Sequence, residues 1–248
     1  MDTIFKHRSV RKYKTDNIPA EILEKIVEAG SRASTTGNMQ VYSIIISKEK
    51  EQKEKLWEAH FKQDMVKSAP VHLTFCADFN RFSEWCKQRE AIPGYNNFLS
   101  FMTATIDAIL ASQNVVLEAE AHDLGACYLG TATYNADKII DILQLPKLVV
   151  PVAAIVLGYP DEDPLLTDRL PMEAILHSER YKTFTSKRID SIYKQREESE
   201  ESQKLLEINS KKTLAQIFTD NRYKKEDNEF FSAKYLEVIR KQGFFMNE

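Results

Sequence analysis

FLSFMTATIDAILASQNVVLEAEAHD, residues 98–123, decides how this chain folds. Met102, Ile106, Ile109, Leu110, Val116 and Leu117 put apolar groups on more than one side of a helix, with alanines between them. Such a helix belongs at the centre of a domain or in an interface between subunits. Asp107, Gln113, Asn114, Glu118 and Glu120 interrupt it and make it too polar to span a bilayer. Gly125 ends it, and Ala126-Cys127-Tyr128-Leu129-Gly130 reads as a short strand running into a glycine turn.

Outward from this helix, two strongly apolar runs read as buried strands, Val71 to Ala77 upstream and Val149 to Leu157 downstream. Val41 to Ile46 is a third. Helical spacing places Ile22, Leu23, Ile26 and Val27 on a helix that starts at Asn17-Ile18-Pro19 and runs to about Arg32. Lys48 to Phe61 reads as an exposed helix anchored by Leu56 and Trp57, Arg81 to Arg89 and Asp137 to Leu143 as further helices. The alternation predicts a mixed sheet flanked by helices in one domain. Beyond Asp161 the chain turns charged, with Glu197-Glu198-Ser199-Glu200-Glu201 as a solvated helix face or loop. Phe230 to Phe245 patterns as a packed helix.

A length of 248 residues allows a substantial core. The net charge of -3 disfavours a nucleic-acid or anionic-membrane partner, which calls for a basic face. Cys76, Cys86 and Cys127 are odd in number and widely spaced, so neither disulfides nor a zinc site is expected. His7, His60, His72, His122 and His177 form no i, i+4 pair. The N-terminus carries no signal-peptide apolar region, and a cytoplasmic location is expected.

One local stretch stands out chemically. His7-Arg8-Ser9-Val10-Arg11-Lys12-Tyr13 gathers two guanidiniums, an ammonium, an imidazole and a hydroxyl around one small apolar anchor. It is an anion cradle in outline, since arginine forks and a serine hydroxyl suit a phosphate. Read alone, it is first of all a solvated basic turn ahead of the first helix. Ala33-Ser34-Thr35-Thr36-Gly37-Asn38-Met39-Gln40 is likewise either an ordinary polar turn or a row of donors for a polar ligand.

Taken together, these residues resemble the nitroreductase superfamily of FMN-dependent oxidoreductases, most closely its oxygen-insensitive NADPH nitroreductases and NADPH-flavin reductases. The resemblance rests on His7-Arg8-Ser9-Val10-Arg11, the Ser34 to Gln40 loop, Gln63 before Ala69-Pro70, Tyr128-Leu129-Gly130 and Arg169-Leu170-Pro171, in that order. Tyr235-Leu236 and Lys241-Gln242-Gly243-Phe244 also look like that branch. It implies one α+β nitroreductase-type domain over residues 1–248 with a helical C-terminal excursion from about 161, and an intertwined homodimer with two FMN sites between subunits.

In that resemblance His7, Arg8 and Ser9 face the FMN phosphate and ribityl chain, and Arg11 approaches the N1/C2=O edge of the ring. Ser34, Thr35, Thr36 and Asn38 come from the partner subunit. Gln63 reaches the ring's polar edge, Tyr128, Leu129 and Gly130 offer backbone contacts, and Arg169 completes the phosphate clamp. The implied reaction passes two electrons from NADPH or NADH through FMN to nitroaromatics, quinones or free flavin in a ping-pong cycle, with no protein acid or base. Two departures from the branch concern anion binding. Thr167 stands where a lysine is usual, and the segment for the NADPH 2'-phosphate carries Glu200 and Glu201 ahead of Lys211 and Lys212. The competing readings are a dehalogenase or flavin-fragmenting member of the same superfamily, and a non-enzymatic phosphate-binding module.

Overall fold

The structure is a computed structural model that describes residues 3–245. Its helices are α1 (Thr3–Lys6), α2 (Ala20–Ser31), α3 (Lys50–Ala59), α4 (Asp64–Ser68), α5 (Asn80–Gln88), α6 (Phe98–Ala121), α7 (Ala136–Leu143), α8 (Ser186–Glu197), α9 (Glu200–Asn209), α10 (Leu214–Gln216) and α11 (Lys225–Lys241). The strands are β1 (Tyr42–Ser47), β2 (Val71–Asp78), β3 (Gly125–Tyr128) and β4 (Val149–Gly158), in the order β1-β2-β4-β3. The fold is α+β. Every strand pairs antiparallel with its neighbours, so the mixed sheet expected from the alternation resolves to an antiparallel one.

The sequence of β2 explains both faces of this sheet. Alternate residues point to opposite sides, so Val71, Leu73 and Phe75 share one face, where they pack with Ile155, Leu157 and the buried side of α6. His72 and Thr74 face the other side. There Ala154 and Val156 of β4 meet Leu56, Ala59, Val66 and Ile139 from α3, α4 and α7. Opposite Cys76 sits Pro151, where the β2–β4 register shifts. A bulge tolerates a residue that lacks the N–H.

α6 has two characters, as its composition implied. Ala104, Ala108, Ala111, Val115 and Ala119 are buried and let α2 and the sheet approach closely. Leu99, Met102, Ile106, Ile109 and Leu110 form an exposed apolar row along the same helix. By length and composition α6 could cross a membrane, yet half of that stretch is buried inside the protein.

Contacts divide the chain into two compact units, one of residues up to 165 together with those from 231 onward, the other of residues 166–230. In the first unit Val238 and Ile239 of α11 are buried, and the Tyr235 hydroxyl donates to the Pro151 carbonyl at 3.0 Å. The second unit is α8, α9 and α10 followed by a π-helical turn over 217–222. Its acidic run is a helix junction: Ser199 caps α9, and Glu200 and Glu201 lie in that helix's first turn, where carboxylates are favoured. The helix expected over Lys48 to Phe61 stops at Ala59, because Phe61 and Lys62 adopt left-handed φ values of 55° and 59°.

Candidate active site

The basic heptad is laid along the sheet as an extended strap. Ser9 bridges Ala126 in parallel, Val10 N donates to Ala126 O at 3.0 Å, and Tyr13 bridges Pro160 beyond the end of β4. Val10 and Tyr13 are its buried anchors, and the Tyr13 hydroxyl donates to the Val10 carbonyl. Two glycines make room for them. A Cβ on Gly125 comes within 2.6 Å of Val10 Cβ, and one on Gly158 within 2.9 Å of the Tyr13 ring.

Between these anchors the polar side chains take different partners. His7 Nδ1 lies 2.5 Å from Glu120 Oε1, and burial pushes that carboxyl's pKa up while the His7 contact opposes the rise. The Arg8 guanidinium donates to Asp163 and, at 3.1 Å, to the Pro164 carbonyl. Glu162 Oε1 accepts from the backbone N–H groups of Arg11 (2.5 Å) and Lys12 (3.1 Å). The exposed Arg11 guanidinium forms no hydrogen bond or ion pair with any described residue. Its charge counteracts the burial that raises the Cys127 thiol and the Tyr13 hydroxyl.

Gln63 and the segment after β3 meet on the second face of the sheet. The left-handed corner at Phe61 and Lys62 delivers Gln63 to the N-terminus of α4. There Gln63 Nε2 donates to His60 O and to Thr131 Oγ1, each at 3.0 Å. Thr131 Oγ1 is also 2.8 Å from His60 Nδ1, and His60 Nε2 is 3.2 Å from His72 Nε2. Leu129 N donates to Ala154 O at 2.8 Å, and the Tyr128 hydroxyl pairs with Ser112 Oγ at 2.8 Å. A Cβ on Gly130 meets nothing within 4 Å.

Three predicted stretches thus border one hydrophobic cluster on the second face of the sheet: the strap through Val10 and Tyr13, Gln63 between Ala59 and Val66, and Tyr128 to Gly130 through Leu129. Sequence reading passed over His60, His72 and Thr131. No spacing connects a helix end with a strand and a 3-10 turn, and only the alternation along β2, which sends His72 to the α3 side, carried a hint.

The remaining predicted residues make other contacts. Thr36 donates from both its N–H (3.0 Å) and its hydroxyl (3.2 Å) to Asp107 Oδ1 on α6. Thr35 Oγ1 accepts from Gln40 N at 3.4 Å, Asn38 Oδ1 accepts from the Gln40 amide, and Ser34 lies in the same loop. In the second unit Arg169 folds back on its own turn, with Nη1 2.8 Å from Thr167 Oγ1 and 2.9 Å from Asp168 O. Lys211 pairs with Asp220 at 2.8 Å, and Lys212 donates its backbone N–H to Gln216 Oε1 at 2.9 Å.

Known proteins resemble this chain over most of its length. The chain is 34% identical over 177 residues to the FMN reductase [NAD(P)H] of Bacillus subtilis (strain 168), covering 71% of each protein. It superposes on a solved structure from Bacteroides fragilis NCTC 9343 with a TM-score of 0.97, 48% identity, and coverage of 98% of this chain and 99% of that one. Against the NfrA1 nitroreductase of B. subtilis the TM-score is 0.87 at 27% identity, with 99% of both chains covered. Residues 4–159 match the profile of the nitroreductase family, and the chain belongs to that family.

Proposed function

We propose that this protein is an NAD(P)H-dependent FMN oxidoreductase that passes two electrons to nitroaromatics, quinones or free flavin. The observation that carries the reading is Arg11, an exposed guanidinium without a partner among the described residues, on a strap pinned into the core on either side by Val10 and Tyr13. Such a cation suits an anionic ligand, because its backbone is already fixed and binding breaks no internal contact. FMN fits the neighbouring groups. Gly130 leaves open space where a flat ring can lie, and the Gln63 amide oxygen takes no hydrogen bond from any described residue.

In this reading Arg11 stands at the N1/C2=O edge of the ring and stabilises negative charge that gathers there on reduction. His7, Arg8 and Ser9 take the phosphate and ribityl chain. Asp163, whose side chain is 92% exposed, yields Arg8 to a phosphate dianion at a cost of under about 1 kcal/mol, the usual size of an exposed ion pair. FMN, when bound, supplies the hydride chemistry, so no side chain is assigned as acid or base. Donor and acceptor use the same open pocket in turn, which gives ping-pong kinetics.

The apolar row on α6 supports a homodimer. Each Leu- or Ile-sized group left in water forgoes about 1.5–3 kcal/mol of burial, and a second copy offers the same face. Ser34, Thr35, Thr36 and Asn38, in a loop tied to α6 by Thr36 and Asp107, then serve the partner's FMN. The chain is read as one nitroreductase-type domain whose excursion carries Arg169 as a phosphate ligand and Lys211 and Lys212 as candidates for the nucleotide's 2'-phosphate. A cytoplasmic location accords with three cysteines left as free thiols.

Steady-state oxidation of NADPH and NADH by the purified protein, with a quinone and a nitroaromatic as acceptors, tests the reading. Parallel-line kinetics with either nucleotide are expected. Absence of turnover with both nucleotides in the presence of added FMN contradicts it.

A further inference from the structure

The hydrogen bonds behind Gln63 run in one direction. Its amide nitrogen has two hydrogens and two acceptors, His60 O and Thr131 Oγ1. The nitrogen is therefore fully used, and Oε1 is the atom left for a ligand. For Thr131 to accept from the amide, its own hydroxyl proton goes elsewhere, and His60 Nδ1 at 2.8 Å is the acceptor in reach. A neutral imidazole that accepts at Nδ1 carries its hydrogen on Nε2. That hydrogen points at His72 Nε2, 3.2 Å away, so His72 carries its own on Nδ1.

Running the chain backwards leaves two groups unmatched, the Thr131 hydroxyl proton and the His72 Nδ1 lone pair. The forward direction leaves one, the buried His72 Nδ1, which has no partner beyond its own residue among the described residues. Both rings are fully buried. Desolvation pushes His60 down to about 4, and desolvation, His60 and Lys53 together push His72 down to about 3. Each therefore stays neutral at physiological pH and keeps its tautomer.

We propose that His60 and His72 are positioning residues which, through Thr131, lock the Gln63 amide with its oxygen outward, so that Gln63 accepts a hydrogen bond from an N–H of its ligand. The identity of the ligand rests on the FMN reading above. The ring's polar edge presents one N–H, N3–H, between two carbonyls, and an outward acceptor selects that group. A Gln63 free to rotate offers N–H and oxygen with equal ease and loses this selection.

Three variants and two readouts test the relay. Thr131→Val removes the hydroxyl at nearly constant shape, Thr131→Ser restores it, and His72→Leu cuts the far end. Expected for Thr131→Val is an FMN Kd raised about tenfold, the scale of one lost hydrogen bond, with a displaced visible absorption band and reduction potential of the bound flavin. Thr131→Ser returns all three to wild type, and His72→Leu shifts them in the same sense by less. A folded Thr131→Val protein with wild-type Kd, band position and potential overturns the relay while leaving FMN binding intact. Nitrogen-15 NMR of the imidazoles reads the relay without flavin. Hydrogen on Nε2 of His60 and on Nδ1 of His72 supports it, and the opposite tautomers overturn it. A wild-type protein that takes up no FMN refutes the functional reading instead.

Discussion

The strap at His7 to Tyr13 and the segment 166–230 both present cations that the family resemblance assigns to FMN or to the nucleotide, and they hold them in different ways. In the strap, two buried side chains and two close-packed glycines fix the backbone; Arg8 is held by Asp163 and the Pro164 carbonyl, while the Arg11 guanidinium has no hydrogen-bond or ion-pair partner among the described residues. In the later segment the charges are settled locally. Arg169 folds onto Thr167 and Asp168, and Lys211 pairs with Asp220. The contrast teaches that a cation is ready for a ligand where the core determines the backbone and the local chain offers the side chain nothing. Cations whose own turns satisfy them must first give up those contacts.

The largest way to break this contrast is to lift the strap. Gly125→Val drives a branched side chain into Val10, and overpacking of this kind costs about 1–3 kcal/mol. Thermal denaturation is expected to show that loss together with loss of bound flavin, whereas a variant that keeps both places the strap's hold elsewhere.

Acid sharpens the comparison. His60 and His72 titrate near their ordinary value when unfolded but are held down to about 4 and about 3 when folded. Between those values and 6.5 the unfolded state binds more protons, so stability is complete above about pH 6.5 and is lost as pH falls. The slope reaches about 1.4 kcal/mol per pH unit for each histidine. In the later segment, the hydrogen bond from Lys211 holds the Asp220 carboxyl below its ordinary value, so that pair keeps its charges at pH 5. Protection factors for amide hydrogen exchange, which remove the slower intrinsic exchange at lower pH, are expected to fall in α3 and β2 between pH 7 and pH 5, with little change over 200–220. An equal fall in both regions removes the histidine pair as the cause.

The smallest expected effect is that of Arg169→Ala. An exposed guanidinium already engaged by its own turn contributes about 0–1 kcal/mol, so FMN affinity measured by fluorescence should fall no more than about fivefold. A larger loss makes Arg169 a principal phosphate ligand and erases the contrast.

Much of this was legible in the chain. Apolar runs locate β1, β2 and β4 because buried central strands leave little room for polar residues, and α6 declares itself by alanines flanked with large apolar groups. The strap's chemistry could be read, but its anchoring could not. Gly125 and Gly158 look like ordinary stops until Val10 and Tyr13 are seen pressed against them. The corner before Gln63 was hidden for a related reason, since only tertiary packing holds two successive non-glycine residues at positive φ. Antiparallel pairing and β2's alternation bring His72 to His60, twelve residues earlier in sequence, and no helical or strand period encodes that meeting.

The most direct test of the central claim is a fluorescence titration of FMN into apoprotein, for the wild type and for Arg11→Ala. The account predicts saturable uptake of one FMN per chain by the wild type, and an affinity about 10–100-fold weaker in the variant, the worth of one charge-assisted hydrogen bond. Wild-type protein that stays colourless with excess FMN, or an Arg11→Ala protein that binds it equally well, contradicts the account.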